Sequence, residues 1–254
     1  EPINNILDFI EKKPKYFNKY FNFKKSSVSK FEFKKFINLK NIYFRYENKP
    51  YLINNLNLQI PKGQTIGIST PTGTGKSTLI NIIMGFAIPE KGTICIDDIN
   101  IHENNKDFEI QDWWSSISYV PQKIFLSNTS IKNNIAFEFN EENVDFNKVI
   151  ECSQTAQCHK YIMDLPNKYD EILLENASNL SGGQIQRIAI ARALYHNPKV
   201  LILDEATNAL DKSTERKILK AIKEINKEIT IIIISHDNST LAYCDQVINT
   251  INNS

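Results

Sequence analysis

The stretch that determines the architecture of this 254-residue chain is Thr70-Pro71-Thr72-Gly73-Thr74-Gly75-Lys76-Ser77-Thr78. It follows an apolar segment, residues 65–69, that is typical of a short buried strand, and it leads into residues 77–85, which are typical of a helix. The glycines at 73 and 75 leave successive backbone N–H groups accessible, and the start of the helix adds partial positive charge. Strand, glycine-rich loop and helix in this order predict a phosphate-binding loop.

The side chains of this loop suit a nucleoside triphosphate and its metal ion. Lys76 is expected to reach the β- and γ-phosphates, and the Ser77 hydroxyl is expected to bind Mg²⁺. Thr70 stands where such loops usually begin with glycine, but Pro71 favours an extended backbone at residue 70, so we expect a working loop. ATP and Mg²⁺ are the predicted ligands, with nucleotide contacts from Thr72, Gly73, Thr74, Gly75, Lys76, Ser77 and Thr78.

A second apolar segment ends in two carboxylates. Residues 200–203 are typical of a buried strand, and Asp204 and Glu205 follow directly. Asp204 is expected to hold Mg²⁺, directly or through water, and Glu205 to orient and polarise the attacking water. Alone, this pattern is equally consistent with a solvated strand end. Beside the phosphate-binding loop, it favours hydrolysis.

The remaining apolar patterns indicate alternating strands and helices. Strand-like patterns begin at Phe31, and residues 56–60 alternate with a period of two before the turn at residues 61–63. Residues 123–180 are polar and helix-prone. Further strands are predicted at 94–96, 117–120 and 230–234, and a helix is predicted at 213–225. Alternation of this kind predicts a parallel α/β core into which a helical subdomain is inserted.

Composition and charge limit the broad class of protein. The chain is 41% hydrophobic and 23% charged, with a net charge of +1, which gives no overall basis for binding nucleic acid. We find no run near the roughly 20 apolar residues that span a bilayer. Residues 1–30 carry seven lysines against three acidic residues, interleaved with aromatics. They are interpreted as a solvated linker, with a nucleic-acid or membrane-surface segment as the alternative.

One further motif points to a family. Leu180-Ser181-Gly182-Gly183-Gln184-Ile185-Gln186-Arg187 precedes a run of small and aliphatic residues typical of a helix. This segment resembles the signature motif of ABC (ATP-binding cassette) ATPases, and its chemistry is again anion binding at a helix N-terminus. The resemblance implies that Ser181, Gly182, Gly183 and Gln184 bind the γ-phosphate of an ATP held by a second subunit.

Other segments match the family's motifs in order along the chain. Tyr46 resembles the aromatic residue that stacks on adenine, and Gln122 resembles the glutamine that senses Mg²⁺. His236 resembles the histidine that contacts the γ-phosphate, and residues 208–211 resemble the segment that crosses the dimer interface. The resemblance therefore implies catalytic roles for Glu205, His236 and Gln122, and metal contacts from Ser77, Gln122 and Asp204.

The exporter subtype is favoured by three weaker likenesses. Residues 125–135, Glu175 and residues 3–8 are similar to exporter segments, although Asn176 and Ala177 depart from the usual continuation after the acid. A still weaker likeness, in residues 193–198 and 243–245, is to lipid-linked oligosaccharide flippases. The resemblance covers nearly the whole chain from Phe31. It implies the ATP-hydrolysing motor domain of a membrane exporter, at the cytoplasmic face of the cell (inner) membrane.

Together, the residues and the resemblance predict a P-loop NTPase core with an N-terminal antiparallel β subdomain and an inserted α-helical subdomain at about residues 123–180. Residues 1–30 are expected to link residues 31–254 to a transmembrane domain. The expected partners are that domain and a second, identical ATP-binding domain that closes on two MgATP, without nucleic acid. The alternatives are a soluble ABC ATPase acting on nucleic acid or ribosomes, which salt-dependent binding would reveal, and a P-loop small-molecule kinase.

Overall fold

The computed structural model describes residues 31–47, 49–69, 75–103, 108–138 and 140–249. The predicted linker at residues 1–30 lies outside these ranges. So do five residues of the phosphate-binding loop, namely Thr70, Pro71, Thr72, Gly73 and Thr74.

An antiparallel sheet of four strands forms the N-terminal part. Its members are β1 (Phe36–Phe44), β2 (Ile53–Pro61), β4 (Lys91–Ile96) and β5 (Ile99–Asn100), in the order β2-β1-β4-β5. Leu39 of β1 pairs with Leu58 of β2 and Ile94 of β4, so the apolar residues of the alternating pattern share one buried face. This confirms the predicted antiparallel β region.

A parallel sheet of five strands forms the second part. It contains β3 (Thr65–Ser69), β6 (Ile117–Val120), β7 (Val200–Asp204), β8 (Thr230–Ile234) and β9 (Gln246–Asn249), in the order β6-β7-β8-β3-β9. β7 and β8 are apolar without alternation because both of their faces are buried. All four pairings are parallel, so the carboxyl ends of these strands lie at one edge.

Helices cover this sheet and connect its strands. α1 (Lys76–Ile83) follows β3, α2 (Ile110–Ser116) precedes β6, α7 (Lys212–Ile225) joins β7 to β8, and α8 (Asn238–Leu241) precedes β9. Trp113 of α2 is wholly buried and its indole N–H donates to the Ile83 carbonyl at 3.0 Å. The predicted α/β class is confirmed.

The polar segment after β6 is helical, as predicted. It contains α3 (Ile131–Ala136), α4 (Phe146–Thr155) and α5 (His159–Met163), with 3-10 turns at Glu141–Asn143, Lys168–Asp170 and Glu175–Ala177. α6 (Gly182–Tyr195) packs against α3 and α4. These helices share one apolar core with a face of β7 and β8. Among the helices described, none is long and apolar enough to cross a membrane.

The strand pattern that begins at Phe31 was wrong for its first residues. β1 starts at Phe36, and the Phe31 and Phe33 rings instead pack edge-on against aromatic residues at α2, with ring centroids 4.9 Å (Phe31–Phe108) and 6.0 Å (Phe33–Trp113) apart. The Asp97 carboxylate accepts the backbone N–H groups of residues 34–36. A side chain thus satisfies the donors that a strand partner would otherwise take.

Candidate active site

The predicted catalytic residues follow the carboxyl ends of four neighbouring strands. Gln122 comes two residues after β6, Glu205 directly after β7 and His236 two residues after β8, while α1 begins at Lys76 after β3 and the phosphate-binding loop. Because parallel strands end at the same edge, residues far apart in sequence meet there. The topology therefore gathers the residues predicted from four separate motifs.

Glu205 is the centre of this group, and its side chain is only 8% exposed. One carboxylate oxygen, Oε1, accepts a hydrogen bond from the Lys76 ammonium and lies 3.5 Å from Nδ1 of His236. The other oxygen, Oε2, accepts from Nε2 of Gln122 at 2.7 Å and from Nδ2 of Asn208 at 3.3 Å. Both oxygens are thus held, and the carboxylate has a fixed orientation.

The two adjacent carboxyl groups differ electrostatically. Burial opposes ionisation of Glu205, but the hydrogen bond and charge of Lys76, with a smaller contribution from His236, leave its pKa below the ordinary value. Burial raises the pKa of Asp204, and the charge of Glu205 raises it further. Of the two carboxyl groups, Glu205 is the one whose surroundings favour the ionised form, which is the form that a general base needs.

The backbone of Glu205 is also unusual. Its φ angle is +50°, in the left-handed region that residues with a side chain rarely adopt. Its N–H group donates to the Ile234 carbonyl at 3.0 Å, which fixes the turn after β7 against the end of β8. Unfavourable backbone geometry of this kind concentrates at functional sites, where the surrounding structure maintains it.

Tyr119 holds the other acid and was not among the predicted site residues. Its hydroxyl donates to Oδ2 of Asp204 at 2.9 Å. Burial raises the pKa of Tyr119 well above its ordinary value, so the hydroxyl remains a donor. Tyr119 lies on β6 and pairs with Ile202 of β7. The sequence did show an aromatic residue in the strand before Gln122. Its contact with Asp204 could be predicted only if the pairing of β6 with β7 were known.

The described part of the phosphate-binding loop fits the predicted ligands. Gly75 has a φ of +95°, and a Cβ there would lie 3.1 Å from Leu52, so the position requires glycine. Ser77 is exposed in the first turn of α1. Ser77, Gln122 and Asp204 offer hydroxyl, amide and carboxylate oxygens. Oxygen donors in this small number suit Mg²⁺, which keeps water and phosphate oxygens as its other ligands.

Tyr46 lies beside the start of α1, as expected of a residue that contacts the nucleotide. Its hydroxyl is 2.9 Å from Oγ1 of Thr78, and its ring edge packs against Phe44. Half of Tyr46 is exposed (50%). A bidentate ion pair with Glu90 holds Arg45, the residue that precedes Tyr46. Stacking of this ring on adenine stays a prediction.

The signature residues form the N-terminus of α6. Ser181 and Gln184 make a capping box, in which Ser181 Oγ accepts from the Gln184 N–H at 3.3 Å and Gln184 Oε1 accepts from the Ser181 N–H at 2.8 Å. Gly183 packs closely on Ala209, whose N–H donates to Gln186. Within the described ranges, no hydrogen bond or ion pair links these residues to Lys76 or Glu205.

Comparison with known proteins identifies the family to which this chain belongs. The family model for ABC transporters matches residues 53–208, more than half of the chain. An ATP-dependent lipid A-core flippase of Haemophilus influenzae is 37% identical over 213 residues, which cover 84% of this chain and 35% of that protein. The leukotoxin translocation ATP-binding protein LktB of a Pasteurella haemolytica-like species is 42% identical over 216 residues, which cover 84% and 29%. The chain thus spans about a third of the length of these relatives.

A solved structure shows the same fold. A bacterial Atm1-family ABC exporter with ATP bound matches with a TM-score of 0.77 and 32% identity, covering 85% of this chain and 36% of the exporter chain. Its similarity extends over both sheets and the helical segment described above. The chain belongs to the ABC transporter family, and its fold is that of the ATP-binding domain of an ABC exporter.

Proposed function

We propose that this chain binds ATP with Mg²⁺ and hydrolyses it to drive a membrane exporter. The observation that carries the proposal is the group around Glu205. A buried carboxylate kept ionised by Lys76 lies beside the helix that follows the phosphate-binding loop. Gln122, Asn208 and His236 contact the same carboxylate. This arrangement supports general-base catalysis of phosphoanhydride hydrolysis.

Lys76 and Glu205 act in sequence in the proposed reaction. The Lys76 ammonium turns from Glu205 to the terminal phosphates of ATP, which frees carboxylate oxygen Oε1 to accept a hydrogen bond from the attacking water. Gln122 and Asn208 keep hold of Oε2 and so preserve the orientation of the carboxylate. As the water oxygen bonds to the γ-phosphorus, its proton passes to Glu205 and the bond to the β-phosphate oxygen breaks.

Three oxygen donors would hold the metal ion, namely Ser77, Gln122 and Asp204. When bound, Mg²⁺ neutralises phosphate charge as the bond breaks. Tyr119 fixes the Asp204 carboxylate for this role through its hydrogen bond. His236, whose side chain is 64% exposed and lies beside Glu205, would donate to a γ-phosphate oxygen.

The proposed active form is a pair of identical chains that enclose two ATP molecules. Ser181, Gly182, Gly183 and Gln184 of one chain would bind the γ-phosphate of ATP held by the other. The support is that these residues form the N-terminus of a 14-residue helix, which is a favourable anion site, and that no hydrogen bond described in the structure joins them to Lys76 of their own chain. Closure on ATP and reopening after hydrolysis would drive a transmembrane domain.

Export is supported by the matching proteins. One relative is named a lipid A-core flippase, another a leukotoxin translocation protein, and the matching solved structure is an exporter. We place the chain at the cytoplasmic face of the cell (inner) membrane, joined to a transmembrane domain by residues 1–30. The narrower likeness to lipid-linked oligosaccharide flippases stays a prediction.

Phosphate release from ATP by the purified chain tests the proposal. Hydrolysis should require Mg²⁺, and Lys76→Met should abolish nucleotide binding in a calorimetric titration, because it removes the phosphate-directed charge as well as the cation paired with Glu205. Lys220→Met is the matched control, since Lys220 forms only an exposed pair with Glu224 on α7. Absence of Mg²⁺-dependent hydrolysis in the unmodified chain, or normal binding by Lys76→Met, would refute the proposed function.

A further inference from the structure

A polar cluster lies next to His236 in the contact network and joins the starts of α7 and α8. It consists of Lys212, Glu215, Asp237 and Thr240, and is called here the Lys212 cluster. The Lys212 ammonium lies 2.6 Å from Oδ2 of Asp237 and 3.1 Å from Oε2 of Glu215, and donates to Oγ1 of Thr240 at 3.1 Å. The Thr240 hydroxyl donates to the other oxygen of Glu215 at 2.9 Å.

The cluster has a buried member, Glu215, although the Lys212 and Asp237 side chains are 47% and 38% exposed. The Glu215 side chain is 0% exposed, and a carboxylate removed from water in this way needs a cation and hydrogen bonds as partners. Lys212 and Thr240 provide both. Since Lys212 must remain beside the buried Glu215, its position on α7 is fixed, and Asp237 is in turn held against it.

The cluster joins two segments that flank the catalytic group. Lys212 directly follows residues 208–211, whose last member, Asp211, caps α7 by accepting the Thr214 N–H at 3.0 Å. Asp237 directly follows His236 and caps α8 by accepting the Ser239 N–H at 2.8 Å. A single ion pair thus connects the start of α7 to the residue next to His236.

Residues 208–211 also contact the other parts of the site. Asn208 donates to Glu205, and the Ala209 N–H donates to Gln186 of α6. A continuous path of contacts therefore runs from the signature helix through residues 208–211 to Lys212, Asp237 and His236. The imidazole of His236 is mostly exposed, so the position of its backbone depends on Asp237 and on Ser235, whose hydroxyl accepts the Asp237 N–H at 3.0 Å.

We propose that Lys212 is a positioning residue for His236: its ion pair with Asp237 holds the imidazole beside Glu205 and ties that position to residues 208–211. The inference rests on the proposed function, because it assigns to Lys212 a part in the same hydrolytic site. It makes Lys212 the group through which a shift of residues 208–211 reaches His236.

Steady-state hydrolysis of ATP by variants of the purified chain tests the link. Lys212→Met should lower kcat by about tenfold or more, since small misplacement of a catalytic group is costly. KM for ATP should stay within about twofold, because no contact to the nucleotide is removed. Lys212→Arg keeps the charge and should restore most of kcat. Lys220→Met, on the same helix, is the matched control and should match the unmodified chain.

A double-variant cycle separates positioning from general damage to the fold. In a His236→Ala background, Lys212→Met should lower kcat no further, since its effect acts through the missing imidazole. Asp237→Asn leaves Glu215 paired with Lys212, and it replaces Lys212→Met in this test if Lys212→Met folds poorly. Unchanged kcat in both single variants, or effects that multiply with His236→Ala, would overturn the inference.

The NMR signals of the His236 ring give a readout that does not depend on hydrolysis. They should shift in Lys212→Met and in Asp237→Asn but not in Lys220→Met. Unshifted signals would overturn the positioning role. Shifted signals in a chain that hydrolyses no ATP would support the link while refuting the proposed function, so the two failures are distinguishable.

Discussion

At the scale of single residues, two adjacent acids receive different environments. Glu205 is surrounded by donors and a cation, whereas Asp204 is partly buried with Tyr119 as its donor. The consequence is a lowered pKa for Glu205 and a raised pKa for Asp204. The opposite directions of the two pKa shifts are consistent with the proposed base role of Glu205.

The raised pKa of Asp204 makes a prediction about stability. Because burial favours the protonated carboxyl, Asp204 contributes to the stability of the fold at low pH. This contribution is fully present below the unfolded pKa of about 4 and is lost as pH rises through the folded pKa. Asp204→Asn removes this loss and can keep the hydrogen bond from Tyr119. Thermal melting without nucleotide should therefore give a higher Tm for the variant at pH 7, and the gain should vanish below about pH 3.

Asp211 provides a control, because its contribution to stability should change with pH in the opposite direction to that of Asp204. Hydrogen bonds from Ser213 and Thr214 hold its pKa well below the ordinary value, so its stabilisation is present above the unfolded pKa and is lost as pH falls through the folded pKa. Asp211→Asn should therefore lower Tm at neutral pH. An equal loss of Tm in both variants at pH 7 would contradict the electrostatic description of Asp204.

At the scale of elements, the N-terminus of α6 combines two uses of the same side chain. Ser181 caps the helix through its contact with Gln184, and in the proposed dimer it faces the partner's phosphate. Ser181→Arg should leave ATP binding to the monomer intact but block dimer closure and hydrolysis, because a long cation fills the space for the phosphate. Calorimetric titration and size-exclusion chromatography with ATP measure the two effects.

Ser181→Ala is the matched variant. It removes the cap, at about 1 kcal/mol of stability, without adding bulk. If Ser181→Arg loses more dimer than Ser181→Ala does, the excess is due to obstruction of the proposed phosphate site and not to loss of the cap. Collapse of monomer affinity for ATP in Ser181→Arg would count against a site shared between two chains.

Local patterns in the sequence were sufficient for the elements that carry the site. The apolar runs of β7 and β8 and the glycine-rich loop before α1 have strong local signals, so their positions followed directly. The pairing of Lys76 with Glu205 spans 129 residues and depends on strand order, which periodicity does not encode. The strand prediction was wrong at Phe31 and Phe33 for a related reason, because the residues that their rings contact, Phe108 and Trp113, are distant in sequence.

At the scale of the whole molecule, the residues proposed for catalysis and those proposed for dimer closure lie on different elements. Lys76, Gln122, Glu205 and His236 meet at the edge of the parallel sheet, whereas Ser181 begins the helix that packs against the helical segment. In the proposed dimer, the γ-phosphate would be contacted by one group from each chain. Hydrolysis would then determine whether the pair stays closed, as the proposed transport motor requires.

Turnover by Glu205→Gln tests this account most directly. The amide preserves the size of the side chain but cannot accept the proton from water, and loss of a general base typically lowers the rate by about 10² or more. Phosphate release should fall by at least that factor, calorimetric ATP affinity should be retained, and an ATP-dependent dimer should become easier to detect by size exclusion. Turnover near that of the unmodified chain would contradict the role of Glu205 as the base.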